Sequence, residues 1–68
     1  MYGIRIRELR KDNGFTQKEL ASYLQVNFRT ISCWEHEKYE PDIAQIKKIC
    51  RLFNVSADFL IGLDDDPE

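Results

Sequence analysis

The sequence contains only two cysteines, one histidine and three glycines, and it has no long apolar run. Its two cysteines are too few for a disulfide scaffold, so we expect packed helices or strands and a reducing, cytosolic environment. The longest fully apolar run, Phe59-Leu60-Ile61, is too short to span a bilayer. The first residues lack the apolar core of a signal peptide. The single histidine and the lack of a Gly-rich phosphate loop predict no metal, no cofactor and no enzymatic activity.

The charge of the chain is distributed unevenly along its 68 residues. Residues 1–57 carry ten Lys and Arg against seven Asp and Glu, whereas the last eleven residues carry five acids and no base. We therefore expect one domain over residues 1–63 and an acidic C-terminal tail over residues 64–68. The basic excess of the domain is compatible with a polyanionic partner but does not identify one.

Capping residues and apolar spacing predict five short helices. Runs of alternating apolar and polar residues are missing, which disfavours β-hairpins. Thr16 and Glu19 have the spacing of a capping box, and Asp42 and Gln45 have the same spacing. The expected helices span residues 4–12, 17–24, 28–37, 43–53 and 57–61.

The stretch from Gln17 to Trp34 has the pattern of a helix-turn-helix. Only two or three residues join the second and third helices, and Ala21 lies where a bulky side chain would block their close crossing. The outer face of the third helix is then free to enter a DNA groove. The residues spaced to pack beneath the crossing are Leu20, Leu24, Val26, Ile31 and Trp34.

Several segments match one known family in their order and spacing: Ile6 to Arg10, Phe15 to Ala21, Val26 to Glu35, Phe53 to Ser56 and Asp58 to Leu60, together with Pro41, Ile46 and Ile49. Over roughly residues 4–63 the chain thus resembles the Cro-repressor, or xenobiotic-response-element, type of helix-turn-helix regulator of phages and bacteria. The resemblance implies an all-α, compact five-helix, lambda-repressor-like domain that binds double-stranded operator DNA as a homodimer in the cytoplasm. One departure is Gln25, where the family usually has a glycine with positive φ.

The resemblance implies that the third helix presents its N-terminal end to base edges. Arg29 can donate two hydrogen bonds to guanine O6 and N7; the alternatives are a phosphate contact or a solvated side chain. For Phe28, two placements stay open: it covers thymine methyl groups, or it folds back against the second helix. The expected base-reading set is Asn27, Phe28, Arg29, Ser32 and Cys33.

A second set of residues is expected to hold DNA phosphates. In the family, the residue at Gln17 bonds a phosphate and braces a base-reading side chain, and the start of a helix favours anions. The family also pairs an arginine with a glutamate at Arg10 and Glu35, which would fix the third helix against the first and leave Arg10 near a phosphate. The expected phosphate-binding set is Thr16, Gln17, Lys18, Lys38 and Arg10.

We therefore predict a sequence-specific DNA-binding transcriptional regulator, of the repressor kind. The alternative is a protein-interaction module of the same fold, such as an antitoxin, which the small basic excess leaves open. The expected dimer contacts are exposed apolar residues late in the chain: Phe59, Ile61 and Leu63.

Overall fold

The computed structural model describes residues 2–62 and folds them into five α-helices, with no strand in that range. This architecture confirms the predicted all-α, five-helix class. Leu63 and the acidic tail over residues 64–68 lie outside the described residues. The helices are α1 (Gly3–Asp12), α2 (Gln17–Leu24), α3 (Phe28–Glu35), α4 (Ile43–Phe53) and α5 (Ala57–Ile61).

The N-terminal cap of α2 is a complete capping box. Thr16 Oγ1 accepts a hydrogen bond from Glu19 N at 3.0 Å, and Glu19 Oε1 accepts one from Thr16 N at 2.8 Å. The second predicted box is only half formed. Asp42 Oδ1 accepts from Gln45 N at 2.9 Å, but Gln45 Oε1 is buried without a hydrogen-bond partner. The prediction of Gln45 as a box partner is therefore wrong, because its side chain turns inward rather than back toward the cap.

Helix α3 ends at Glu35, two residues earlier than its apolar spacing predicts. Glu37 adopts the left-handed conformation with φ of 60°, which an α-helix cannot continue. Lys38 N then donates to Cys33 O at 2.9 Å, and Glu37 N donates to Trp34 O at 3.0 Å. This pair of bonds is a Schellman motif, which satisfies carbonyl groups at the end of the helix.

The turn between α2 and α3 also contains a left-handed residue. Gln25 has φ of 59° and ψ of 43°, the conformation expected where the family usually has glycine. A non-glycine residue there costs about 1 kcal/mol. Val26 N donates to Ala21 O at 3.0 Å, so the turn closes despite this cost.

The core lies beneath the crossing of α2 and α3, as the spacing predicts. Leu20, Leu24 and Ile31 are fully buried, and Ala21 and Trp34 are each 3% exposed. The partly buried Val26 packs against this core, which confirms the predicted set. The other members of the core are Ile6 from α1, Ile49 and Phe53 from α4, and Leu60 from α5.

The start of α1 packs against the end of α3 through a glycine. A Cβ atom at position 3 would overlap the carbonyl oxygen of Trp34, so only glycine fits at Gly3. The predicted start of α1 at residue 4 therefore misses a buried residue that belongs to the helix. Within residues 2–62 the longest helix has 11 residues, and none is long and apolar enough to cross a membrane.

Candidate nucleic-acid interface

The N-terminal ends of α2 and α3 lie side by side. The ring of Phe28, the first residue of α3, has Lys18 Nζ from the first turn of α2 at 5.4 Å from its centroid. Thr16, Lys18 and Arg29 are exposed around this contact. The fold thus brings residues of the predicted phosphate-binding set next to residues of the predicted base-reading set, on one surface rich in cations and backbone N–H groups.

Phe28 takes neither of the two predicted placements completely. Its ring lies toward α2, near Lys18, and Arg29 Cζ lies 5.9 Å from its centroid. The side chain nevertheless stays outside the core, and the residue is 39% exposed. The ring therefore contacts cations on both helices while part of it remains open to a ligand.

Asn27 caps α3 with its side-chain oxygen. Asn27 Oδ1 accepts a hydrogen bond from Arg29 N at 2.8 Å, which occupies an oxygen of the amide. The amide nitrogen of Asn27 remains available as a hydrogen-bond donor. A ligand is therefore more readily contacted by this nitrogen than by the oxygen that caps the helix. The cap also sets the backbone of Arg29 at the exposed start of the helix.

The next turn of α3 contains Ser32 and Cys33, both partly buried. Cys33 is a free thiol. His36 Nδ1 lies 2.8 Å from Ser32 O and 3.4 Å from Ser32 Oγ. With 3.6 residues per turn, these side chains follow Arg29 along one face of α3.

Arg10 and Glu35 form a buried, bidentate ion pair. Arg10 Nε donates to Glu35 Oε2 at 2.6 Å, and Arg10 Nη2 donates to Glu35 Oε1 at 3.1 Å. Arg10 Nη1 donates to Phe15 O at 2.9 Å. The structure thus brings together the two residues that the family resemblance pairs. Arg10 is only 8% exposed, so the further expectation that it contacts a phosphate stays a prediction, and its burial weighs against it.

A third helix joins this pair through Gln17, which the sequence analysis did not link to Glu35. Gln17 Nε2 donates to Glu35 Oε1 at 3.1 Å. A carboxylate only accepts hydrogen bonds, so this contact orients the amide with its nitrogen toward Glu35. The partners are 18 residues apart, and no local spacing relates them. The carboxylate of Glu35 therefore ties the ends of α1, α2 and α3 together beside the exposed surface.

Lys38 lies in the loop after α3, exposed to solvent. Its backbone N–H closes the helix, as described above. At 1.5 Å per residue, the eight residues of α3 separate the two ends of the helix by about 12 Å. Lys38 thus lies at the opposite end of α3 from Arg29, and the two cations can contact different parts of an extended ligand.

Two side chains outside both predicted sets, Tyr2 and Cys50, have a raised pKa. Burial raises the pKa of the Cys50 thiol. Burial and the neighbouring Glu40 carboxylate raise the pKa of the Tyr2 hydroxyl. Among residues 2–62, no three His, Cys, Asp or Glu side chains lie close enough together to hold a metal ion.

Comparison with known proteins places these features in a family. A family model described as a helix-turn-helix domain matches residues 3–65. The HTH-type transcriptional regulator ImmR of Bacillus subtilis is 38% identical over 63 residues, which are 93% of this chain and 50% of ImmR. The chain thus spans about half the length of that relative.

Two solved structures have closely similar folds. The P22 c2 repressor, in complex with synthetic operator 9T, has a TM-score of 0.82 and 30% identity over 88% of this chain and 91% of its own. The biofilm regulator SinR of Bacillus subtilis, in complex with DNA, has a TM-score of 0.81 and 31% identity over 90% of this chain and 98% of its own. Together with the capped α2–α3 pair, these matches show that the chain belongs to the Cro- and repressor-type family of helix-turn-helix transcriptional regulators.

Proposed function

We propose that this chain is a sequence-specific DNA-binding domain that represses transcription by occupying operator DNA in the cytoplasm. The observation that carries the proposal is that the N-terminal ends of α2 and α3 lie together and expose Lys18 and Arg29. The hydrogen bonds of Glu35 with Arg10 and Gln17 hold the two helices in this arrangement. The similar domains of P22 c2 and SinR, both in complex with DNA, support the same role.

In this proposal the N-terminal end of α3 enters the major groove. Arg29 donates two hydrogen bonds to one guanine, and the free amide nitrogen of Asn27 donates to a neighbouring acceptor. Ser32 and Cys33 face the groove one turn further along α3. Phe28 adds an apolar contact at the start of the helix.

The phosphate contacts come from α2 and from the loop after α3. Thr16, Gln17 and Lys18 lie at the positive end of the α2 dipole, where a phosphate oxygen is stabilised. Lys38 contacts the backbone near the other end of α3. Each of these residues has a proposed role in contacting DNA bases or phosphates, and we propose no catalytic activity for the domain.

We expect Arg29→Ala and Lys38→Ala to weaken DNA binding in different ways. Arg29→Ala should cost about 1–3 kcal/mol on sites that contain its guanine and should relax discrimination at that base pair. Lys38→Ala should weaken all sequences nearly equally and lower the salt slope by about one unit, because a phosphate carries no sequence information. The measurement is binding of each variant to a site selected from random DNA and to every single-base variant, at several salt concentrations.

Two outcomes would count against these roles. If Arg29→Ala weakens every sequence alike and leaves base preference intact, Arg29 contacts the backbone and another residue reads the base. A DNA-binding domain has affinity for DNA at low salt and loses it log-linearly as salt increases. If the unmodified domain shows no DNA affinity at low salt, the DNA-binding proposal fails and the alternative, a protein-interaction module of the same fold, is favoured.

We further propose that two copies of the domain bind one operator. One small domain neutralises few phosphates, so a single half-site should bind weakly, whereas two half-sites about 34–36 Å apart double the contacts. Of the expected dimer contacts, Ile61 is 37% exposed, Phe59 has Arg5 Cζ 4.4 Å from its ring centroid, and Leu63 lies outside the described residues. Sedimentation should find two proteins per operator. Tight binding of one protein to a single half-site would contradict the dimer.

A further inference from the structure

Phe28 contacts two side chains that have different roles in the proposed function. Lys18 Nζ, from α2, is 5.4 Å from the ring centroid, and Arg29 Cζ, from α3, is 5.9 Å from it. Both distances lie within the roughly 6 Å over which a cation is attracted to an aromatic ring. The ring therefore connects the start of α2, which is proposed to contact phosphates, to the start of α3, which is proposed to contact bases.

The surroundings of Phe28 favour a role outside the core. The residue is 39% exposed and is not a member of the buried cluster beneath the helix crossing. Its backbone follows the Asn27 cap, which fixes the start of α3. An aromatic ring has two χ angles, so it offers long, flexible cations a rigid surface at little entropic cost.

Lys18 and Arg29 have many rotamers when they are unconstrained. Ordering either side chain on DNA costs conformational entropy, and any constraint present before binding reduces that cost. A ring that attracts both cations holds both side chains near the start of α3. The base-reading group and its neighbouring phosphate contact would then reach the DNA together in one register.

We propose that Phe28 is a specificity-determining positioning residue, which orients Arg29 and Lys18 for the DNA contacts through cation–π attraction. This inference rests on the proposed DNA-binding function. It assigns the ring a role through its two neighbours, in addition to the apolar contact with DNA proposed above.

The first test concerns the free protein and needs no DNA. Ring currents from Phe28 should shift the NMR signals of the Lys18 Hε and Arg29 Hδ protons upfield. Phe28→Leu should return both signals to ordinary values while the domain stays folded, because Phe28 is not a member of the buried core. Unshifted signals in the unmodified protein would overturn the proposal whether or not the domain binds DNA.

The second test is a double-mutant cycle on a site selected from random DNA. Phe28→Leu keeps an apolar side chain and removes the aromatic face, so we expect about a two- to fivefold loss of affinity and weaker discrimination at the base pair that Arg29 reads. In a Lys18→Ala/Arg29→Ala background the same substitution should have no further effect. Phe28→Trp should retain the affinity, because tryptophan attracts cations at least as well.

A matched control separates this role from a general loss of aromatic surface. Tyr23 is also an exposed aromatic residue, 61% exposed on α2, and it is not part of the Lys18–Phe28–Arg29 contact. Tyr23→Leu should leave base preference unchanged.

The double-mutant cycle also has an outcome that overturns the proposal. If Phe28→Leu loses as much DNA affinity in the Lys18→Ala/Arg29→Ala background as in the unmodified protein, the ring acts on DNA directly and the positioning role is wrong. An unchanged affinity and base preference in Phe28→Leu would also overturn it.

Discussion

Glu35→Ala is expected to destabilise the domain by about 3–5 kcal/mol, because it leaves the buried guanidinium of Arg10 without its carboxylate partner. The substitution also removes the acceptor of the Gln17 amide. A domain of this length has roughly 3–10 kcal/mol of stability in total. We therefore expect Glu35→Ala to lose about a third or more of the domain's free energy of unfolding, measured by urea denaturation followed by circular dichroism.

Two further variants test this explanation. Glu8→Ala removes an exposed carboxylate from α1 and should change stability by less than about 0.5 kcal/mol. The double substitution Arg10→Met/Glu35→Leu removes both buried charges and should be more stable than Glu35→Ala alone. A loss below about 1 kcal/mol for Glu35→Ala would mean that the pair behaves like an exposed surface ion pair.

Gly3→Ala is expected to destabilise the domain by about 2–3 kcal/mol, although alanine is the better helix former. The new Cβ atom would overlap the carbonyl oxygen of Trp34, which is backbone and cannot rotate away. That oxygen also accepts the Glu37 N–H bond that closes α3, so moving it disturbs the helix end. The measurement is again the free energy of unfolding in urea.

The close contact at Gly3 determines whether Gly3→Ala lowers or raises the free energy of unfolding. Without the close contact, Gly→Ala within a helix should stabilise the protein by about 0.5–1 kcal/mol. A stabilised variant would thus show that the start of α1 does not approach α3 in solution. Ile4→Ala alters an exposed residue in the same turn and should have only a small effect.

Local sequence signals predicted most of the fold. The Thr16–Glu19 capping box depends on two residues three positions apart, which the sequence displays directly. The buried residues beneath the α2–α3 crossing follow from helical periodicity. The end of α3 was predicted two residues late, because nothing in the polar sequence His36-Glu37 marks the left-handed residue there.

The sequence by itself therefore determined the helices, their caps and the apolar face of each one, since these depend on neighbours within about one turn. The family resemblance added the Arg10–Glu35 pair and the two sets of residues proposed to contact DNA. Only the tertiary structure decided that Glu35 also binds Gln17, that Gly3 packs against the Trp34 carbonyl group, and that Phe28 lies between Lys18 and Arg29. In each of these cases the packing of the helices decides which groups are in contact. The spacing of residues along the sequence does not predict that packing.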